Sequence, residues 1–125
     1  MKKIDWSSMY LTGDSVIDQQ HQQLVGTINE CIECIETNGD TIKFIPKLIS
    51  ITNQHLSYEE EFLTEIGYPN LTTHFEEHQA YRDEINQALS ASDTITAKQI
   101  DSMSEWWSNH ILQSDMKYKI FLKKS

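Results

Sequence analysis

Residues 41–69 read TIKFIPKLISITNQHLSYEEEFLTEIGYP. Apolar side chains recur there at Phe44, Leu48, Ile51, Phe62 and Ile66, at the intervals that return an α-helix to one face. His55 and Glu59 fall on the same stripe. Pro46 sits in the first turn or so, where the missing N–H has no helical partner to lose. Gly67-Tyr68-Pro69 stops the pattern. The stretch therefore predicts a helix from near Asp40 or Thr41 to Ile66. Its inward face carries an imidazole and a carboxylate, and it has to be covered by other helices.

The rest of the chain supplies them. It has 125 residues, one domain's worth, of which only 4 are Gly and 2 Pro. Such scarcity of breakers favours long helices over a many-turned β fold. Asp18 is placed to cap a helix from about Gln19 to Glu36, ended by Asn38-Gly39. Asn70 or Thr72 starts a third, reaching about Ala91. The polar link Ser92-Asp93-Thr94 follows, and Thr96 caps a fourth helix towards Lys123. Lys117, Lys119, Lys123 and Lys124 suit the negative end of its dipole. Residues 1–17 show no sustained period and read as an extended N-terminal arm. The prediction is an all-α fold, an antiparallel up-down-up-down four-helix bundle over residues 18–123, in one domain over 1–125.

Charge narrows the function. Asp plus Glu is 19 against 10 for Lys plus Arg, a formal net charge of −9. Such a surface repels phosphate, so nucleic acid is not an expected partner. No run of about 18 apolar residues predicts membrane insertion, and no apolar segment follows Met1-Lys2-Lys3 as in a signal peptide. The cytoplasm is the expected location and a monomer the expected state. Cys31 and Cys34 lack the second pair that a four-ligand zinc site needs, and they read as two ordinary helix residues.

The histidines carry the chemistry. There are five: His21, His55, His74, His78 and His110. They are spread over all four predicted helices, each on an apolar stripe: His21 with Leu24, Val25, Ile28 and Ile32; His74 and His78 with Leu71, Tyr81 and Ile85; His110 with Met103, Trp106 and Trp107. Leaving each imidazole buried and unpaired would cost roughly 1–3 kcal/mol. A shared metal removes that cost by accepting the nitrogen lone pairs. Glu59, four residues after His55, joins them. Glu60 and Glu61 turn about 100° and 200° further and read as flank and solvent face. Asp115 follows His110 by five, off the face of a regular helix. The stripe itself slips there, since Ile111, Tyr118 and Leu122 centre on Asp115. One extra residue in a wide π turn would reconcile both halves.

Five imidazoles and two carboxylates are too many ligands for one tetrahedral zinc, and too rich in nitrogen for calcium or magnesium. They fit two octahedral first-row ions that share both carboxylates and a water-derived oxygen. About eleven of twelve positions are then filled and one is open, with iron the expected metal. No histidine has a glutamate three residues before it, unlike the paired Glu-x-x-His segments of ferritin-like di-iron proteins.

His21, His55-x-x-x-Glu59, His74-x-x-x-His78 and His110-x-x-x-x-Asp115 together resemble the hemerythrin family, in particular its single-domain bacterial members. The resemblance covers the whole chain, including Trp6, the Ile17-Asp18-x-Gln20-His21 lead-in and Trp106-Trp107. It implies that His74, His78 and His110 hold one iron. His21 and His55 hold the other, five-coordinate iron that takes up O2. Glu59, Asp115 and an oxo or hydroxo group bridge the two. It also implies an O2 pocket of Leu24, Leu56, Trp107 and Ile111. Leu63 departs from the methionine common in relatives, which touches only packing. The implied activity is reversible O2 binding for storage, delivery or scavenging, with an oxygen-consuming enzyme as recipient and no catalytic residue. The alternative is a di-iron enzyme or stress protein handling nitric oxide, peroxide or iron. Asp18, Glu77 and Gln113 are the candidate acceptors for the imidazole N–H groups.

Overall fold

The computed structural model describes residues 3–89 and 93–124. They are all-helical, with no strand among them: a short 3-10 turn at Ser8–Tyr10, α1 at Ser15–Glu36, α2 at Phe44–Glu65, α3 at Leu71–Leu89, α4 at Ala97–Asn109, a π turn at His110–Asp115, and α5 at Met116–Lys124. Helix α1 packs on α2 and α4, and α2 packs on α3.

Helix starts differ from expectation in two places. Helix α1 begins at Ser15, with the Asp14 carboxylate accepting from Ile17 N, so the irregular segment ends at Asp14 rather than Ile17. Asp18 instead turns back to accept from Thr12 N and Thr12 Oγ1, both at 2.7 Å. Both aspartates flank the first turn, and only the backbone path decides which one caps. Helix α2 begins at Phe44, because Asp40 and Thr41 are used in the loop. The Asp40 carboxylate accepts from Ile42 N, and the Thr41 hydroxyl accepts from Ile95 N at 2.8 Å. Pro46 is then the third helical residue. Thr96 caps α4 as expected, with Gln99 completing a reciprocal capping box. Helix α3 follows Asn70; its expected end near Ala91 and part of the Ser92 link lie outside the described residues.

Two helix ends close in the same way. After α2, Tyr68 N bonds Leu63 O and Gly67 N bonds Thr64 O, with Gly67 at φ +70°. After α1, Gly39 N bonds Cys34 O and Asn38 N bonds Ile35 O. These are Schellman closures. In the second, Asn38 takes the left-handed φ of +59°. Gly39 serves close approach instead, since a Cβ there would lie 2.7 Å from Cys34 Sγ.

The apolar interior forms two bodies. The larger includes Leu24, Ile28, Ile32, Leu48, Leu56, Ile85, Ile100, Trp107 and Ile111. The smaller comprises Ile17, Leu63, Tyr68 and Tyr118, with Phe62, Ile66 and Phe121 against it. Along the chain His21, Glu59, His74, His78 and Asp115 fall between the two, and His55 and His110 border the larger. The N-terminal segment is tied to the helices: Ile4 exchanges two hydrogen bonds with the Asn29 amide, Tyr10 Oη meets Ser108 Oγ, and Lys119 Nζ reaches Leu11 O. Trp6 stacks on Tyr10.

Candidate metal centre

All seven predicted ligands are buried, and the fold brings them together. The π turn does for Asp115 what the slipped stripe requires. Six residues, His110 to Asp115, occupy it, and both His110 and Asp115 point inward.

The carboxylates lie between two sets of imidazoles. Glu59 Oε1 is 2.6 Å from His74 Nε2 and 3.2 Å from His78 Nε2. Its other oxygen, Oε2, is 3.3 Å from His55 Nε2 and 3.6 Å from His21 Nε2. Asp115 divides likewise: Oδ1 lies 3.1 Å from His74 Nε2 and 3.3 Å from His110 Nε2, whereas Oδ2 lies 3.2 Å from His21 Nε2. One half of the cluster thus holds three histidines and the other half two. Two groups of donor atoms compact enough for a cation follow the same division, Glu59-His74-His78-His110 and His21-His55-Glu59.

Behind the imidazoles stands a second ring of acceptors. His55 Nδ1 donates to Gln20 Oε1 at 2.7 Å. His78 Nδ1 donates to Glu60 Oε2 at 3.0 Å, and Arg82 grips Glu60 through two bonds of 2.8 Å. His110 Nδ1 lies 3.1 Å from Glu77 Oε2, which also accepts from Ser114 Oγ at 2.6 Å. Of the three expected acceptors, Glu77 serves, Asp18 binds Thr12 instead, and no imidazole contact places Gln113 among them. Glu60 corrects its reading as a flank residue: it is 8% exposed. A signal was present. Arg82 is the only arginine in the chain, and it lies four residues after His78, on the same helical face.

Leu24, Leu56, Trp107 and Ile111 are fully buried within the larger apolar body. The Trp107 ring is 5.6 Å from His55 and 6.4 Å from His21, centroid to centroid. Its one N–H donates to Tyr81 Oη at 2.7 Å, which leaves it no donor to offer the imidazoles. Trp106 stacks on His110 at 4.4 Å and on Tyr81 at 4.0 Å. Cys31 is buried and Cys34 half-buried, and both thiols are free. Burial first, then the Cys34 sulfur, pushes the Cys31 thiol up to about 11, which makes it a poor nucleophile.

The arrangement calls for positive charge. Carboxylates accept and cannot donate, so Glu60 and Glu77 put the Nδ1 proton on His78 and His110. Their Nε2 atoms then face each other at 3.1 Å, and in neutral rings both would present lone pairs. His21 Nδ1 and Nε2, His55 Nε2 and both Asp115 oxygens are buried without a hydrogen-bond partner. The short His21–Asp115 approach is a contact whose geometry does not make a bond. With protons as the only cations, burial draws the imidazoles down, but Asp115 and Glu59 outweigh it and lift His21 to about 9 and His74 to about 10. Burial prevails at His55 and lowers it. Burial also opposes ionisation of Glu59, yet its four imidazole neighbours hold it well below the usual carboxylate range. A metal cation would answer the facing Nε2 lone pairs, the unpartnered His21 and His55 Nε2 atoms and the bare Asp115 oxygens, leaving only His21 Nδ1 without a partner, and nitrogen-rich ligands with carboxylates select a first-row transition ion.

The chain is similar to known proteins over most of its length. Residues 12–121 match the Hemerythrin HHE cation binding domain. A hemerythrin-like protein of Naegleria gruberi is 27% identical over 115 residues, covering 92% of this chain and 90% of its own. A bacteriohemerythrin of Clostridium acetobutylicum is 27% identical over 124 residues, covering 90% and 96%. One from Stenotrophomonas maltophilia is 26% identical over 124 residues, covering 94% and 80%. With the match running through all of its helices, the chain belongs to the hemerythrin family.

Proposed function

We propose that the chain binds O2 reversibly at two irons held by His21, His55, His74, His78, His110, Glu59 and Asp115. The division of the carboxylate oxygens carries the reading: each acid turns one oxygen to the three-histidine half and the other to the two-histidine half. Placed so, Glu59 and Asp115 would each help to hold both ions. The same division gives the His21–His55 half one fewer imidazole, and therefore a place for O2. When bound, the irons supply the electrons that a reversible O2 ligand draws on.

The chain's own residues do the rest. Trp107 lies against both imidazoles of the two-histidine half, and Leu24, Leu56 and Ile111 belong to the same buried apolar body. Together they exclude water and present no free proton donor, which favours return of the electrons and release of O2 over its further, irreversible reduction. Glu60, Glu77 and Gln20 orient the rings. No helix of the described residues is long and apolar enough to cross a membrane. The two free thiols suit a reducing compartment, and we place the protein in the cytoplasm as an O2 store, carrier or scavenger.

Metal analysis with anaerobic O2 titration tests this. The expected result is about two irons and one O2 per chain, with colour that bleaches under argon and returns over repeated cycles. One zinc per chain defeats the reading. Rapid irreversible oxidation with peroxide release would instead support the enzyme alternative.

A further inference from the structure

The inner ligands are shared almost evenly between the two halves, but the groups behind them are not. Behind His110 stands the Glu77 carboxylate, held by Ser114. Behind His78 stands Glu60, fixed by the two bonds from Arg82. The other half has only the neutral amide of Gln20 behind His55, and His21 Nδ1 has no partner at all. On that side Tyr118 Oη also donates to Glu59 Oε2 at 3.3 Å, drawing charge from the oxygen that faces His21 and His55.

A carboxylate that accepts an imidazole N–H makes the opposite nitrogen a stronger donor and fixes its aim; such partners are worth about 10- to 100-fold in metal affinity. An amide aims the ring without adding charge. The three-histidine half is also the tighter one: its inner contacts run from 2.6 to 3.3 Å, against 3.2 to 3.6 Å across the cluster.

We infer, resting on the reading of this cluster as a two-metal site, that the halves fill in order. The His74–His78–His110 half takes the first ion and the His21–His55 half the second. Glu77 and Glu60 are the positioning residues that set the order. A chain short of metal would therefore lack the ion of the His21–His55 half, the half read as meeting O2, while its other half stays occupied.

Anaerobic titration of the metal-free full chain with Co2+, followed by visible absorption and calorimetry, tests the order without O2. The wild-type chain should show two steps separated by at least about 10-fold in Kd. His21→Ala should abolish the second step alone. Glu77→Gln keeps the shape and removes the charge; it should weaken the first step by about 10- to 100-fold and leave the fold intact by circular dichroism. Gln20→Glu puts a charge behind His55 and should tighten the second step. A single unresolved step in the wild type overturns the inference, as does Glu77→Gln acting on the second step only, or Gln20→Glu moving neither. A wild-type chain that takes up no Co2+ overturns the two-metal reading itself, and so separates that failure from this one.

Discussion

Glu60 shows how much one residue's surroundings can differ from its helical phase. Its position predicts a flank, yet Arg82, from the next helix, closes over it with two parallel bonds, and its other partner is an imidazole of the centre. The side chains of the pair are only 16% and 10% exposed. Arg82→Leu would leave that carboxylate buried beside His78 with no counter-charge. The metal-free protein should then lose about 3–5 kcal/mol in urea unfolding, the scale for breaking a buried pair. Adding Glu60→Gln should recover at least half of the loss, because the stranded charge, more than the missing bond, is what destabilises. A loss unchanged by the second substitution would contradict this account. The burial of Glu59, His55 and the other proposed ligands was readable from the sequence because periodicity within one helix aims them inward, Asp115 by way of the wide turn. Glu60 was not, because its burial depends on a partner 22 residues away, and Gln20 was not, because its partner lies across a helix pair.

At the scale of elements, periods and breakers fixed what exists, and local hydrogen bonding moved the edges. Helix α1 gained a turn because Asp14, not Asp18, reached the free amides. The end of α1 fell at Asn38-Gly39 as read, though the left-handed residue is Asn38. The wide turn at His110–Asp115 was readable because two stripes on one helix disagree in phase by a residue. If one inserted residue causes the turn, removing one should undo it. Deletion of the exposed Gln113 places Asp115 four residues after His110 and Tyr118 seven after, both on one α-helical face. That variant should fold, with an unfolding free energy within about 1 kcal/mol of the parent. Deletion of the equally exposed Glu105 from regular α4 is the contrast. It rotates every later residue by about 100°, turning His110, Asp115 and Tyr118 away from the interior, and should abolish cooperative unfolding. Equal damage from both deletions would show that the turn is not an insertion.

Over the whole molecule, the polar centre is a belt across the helices that parts two apolar bodies. The larger runs from Ile32 and Leu48 down to Leu56 and Ile111; the smaller holds Ile17, Leu63, Tyr68 and Tyr118. Each buried aliphatic side chain contributes about 1.5–3 kcal/mol, so the larger body can hold the helices together unaided. The smaller has four buried members and meets the rest through the belt. Without a cation, that belt couples the two bodies through imidazole and carboxylate contacts that leave several buried atoms unpartnered. With one, every helix is tied to a common point, and binding stabilises by about 4 kcal/mol at a thousandfold excess over Kd. Opening should therefore be uneven in the metal-free chain. Amides at Tyr118 and Phe121 should exchange with an opening free energy at least about 2 kcal/mol below those at Ile28 and Leu48, and metal should erase most of that gap. Uniform protection in the metal-free protein would mean that the belt holds the two bodies together without help, and that the metal adds function to a scaffold already complete.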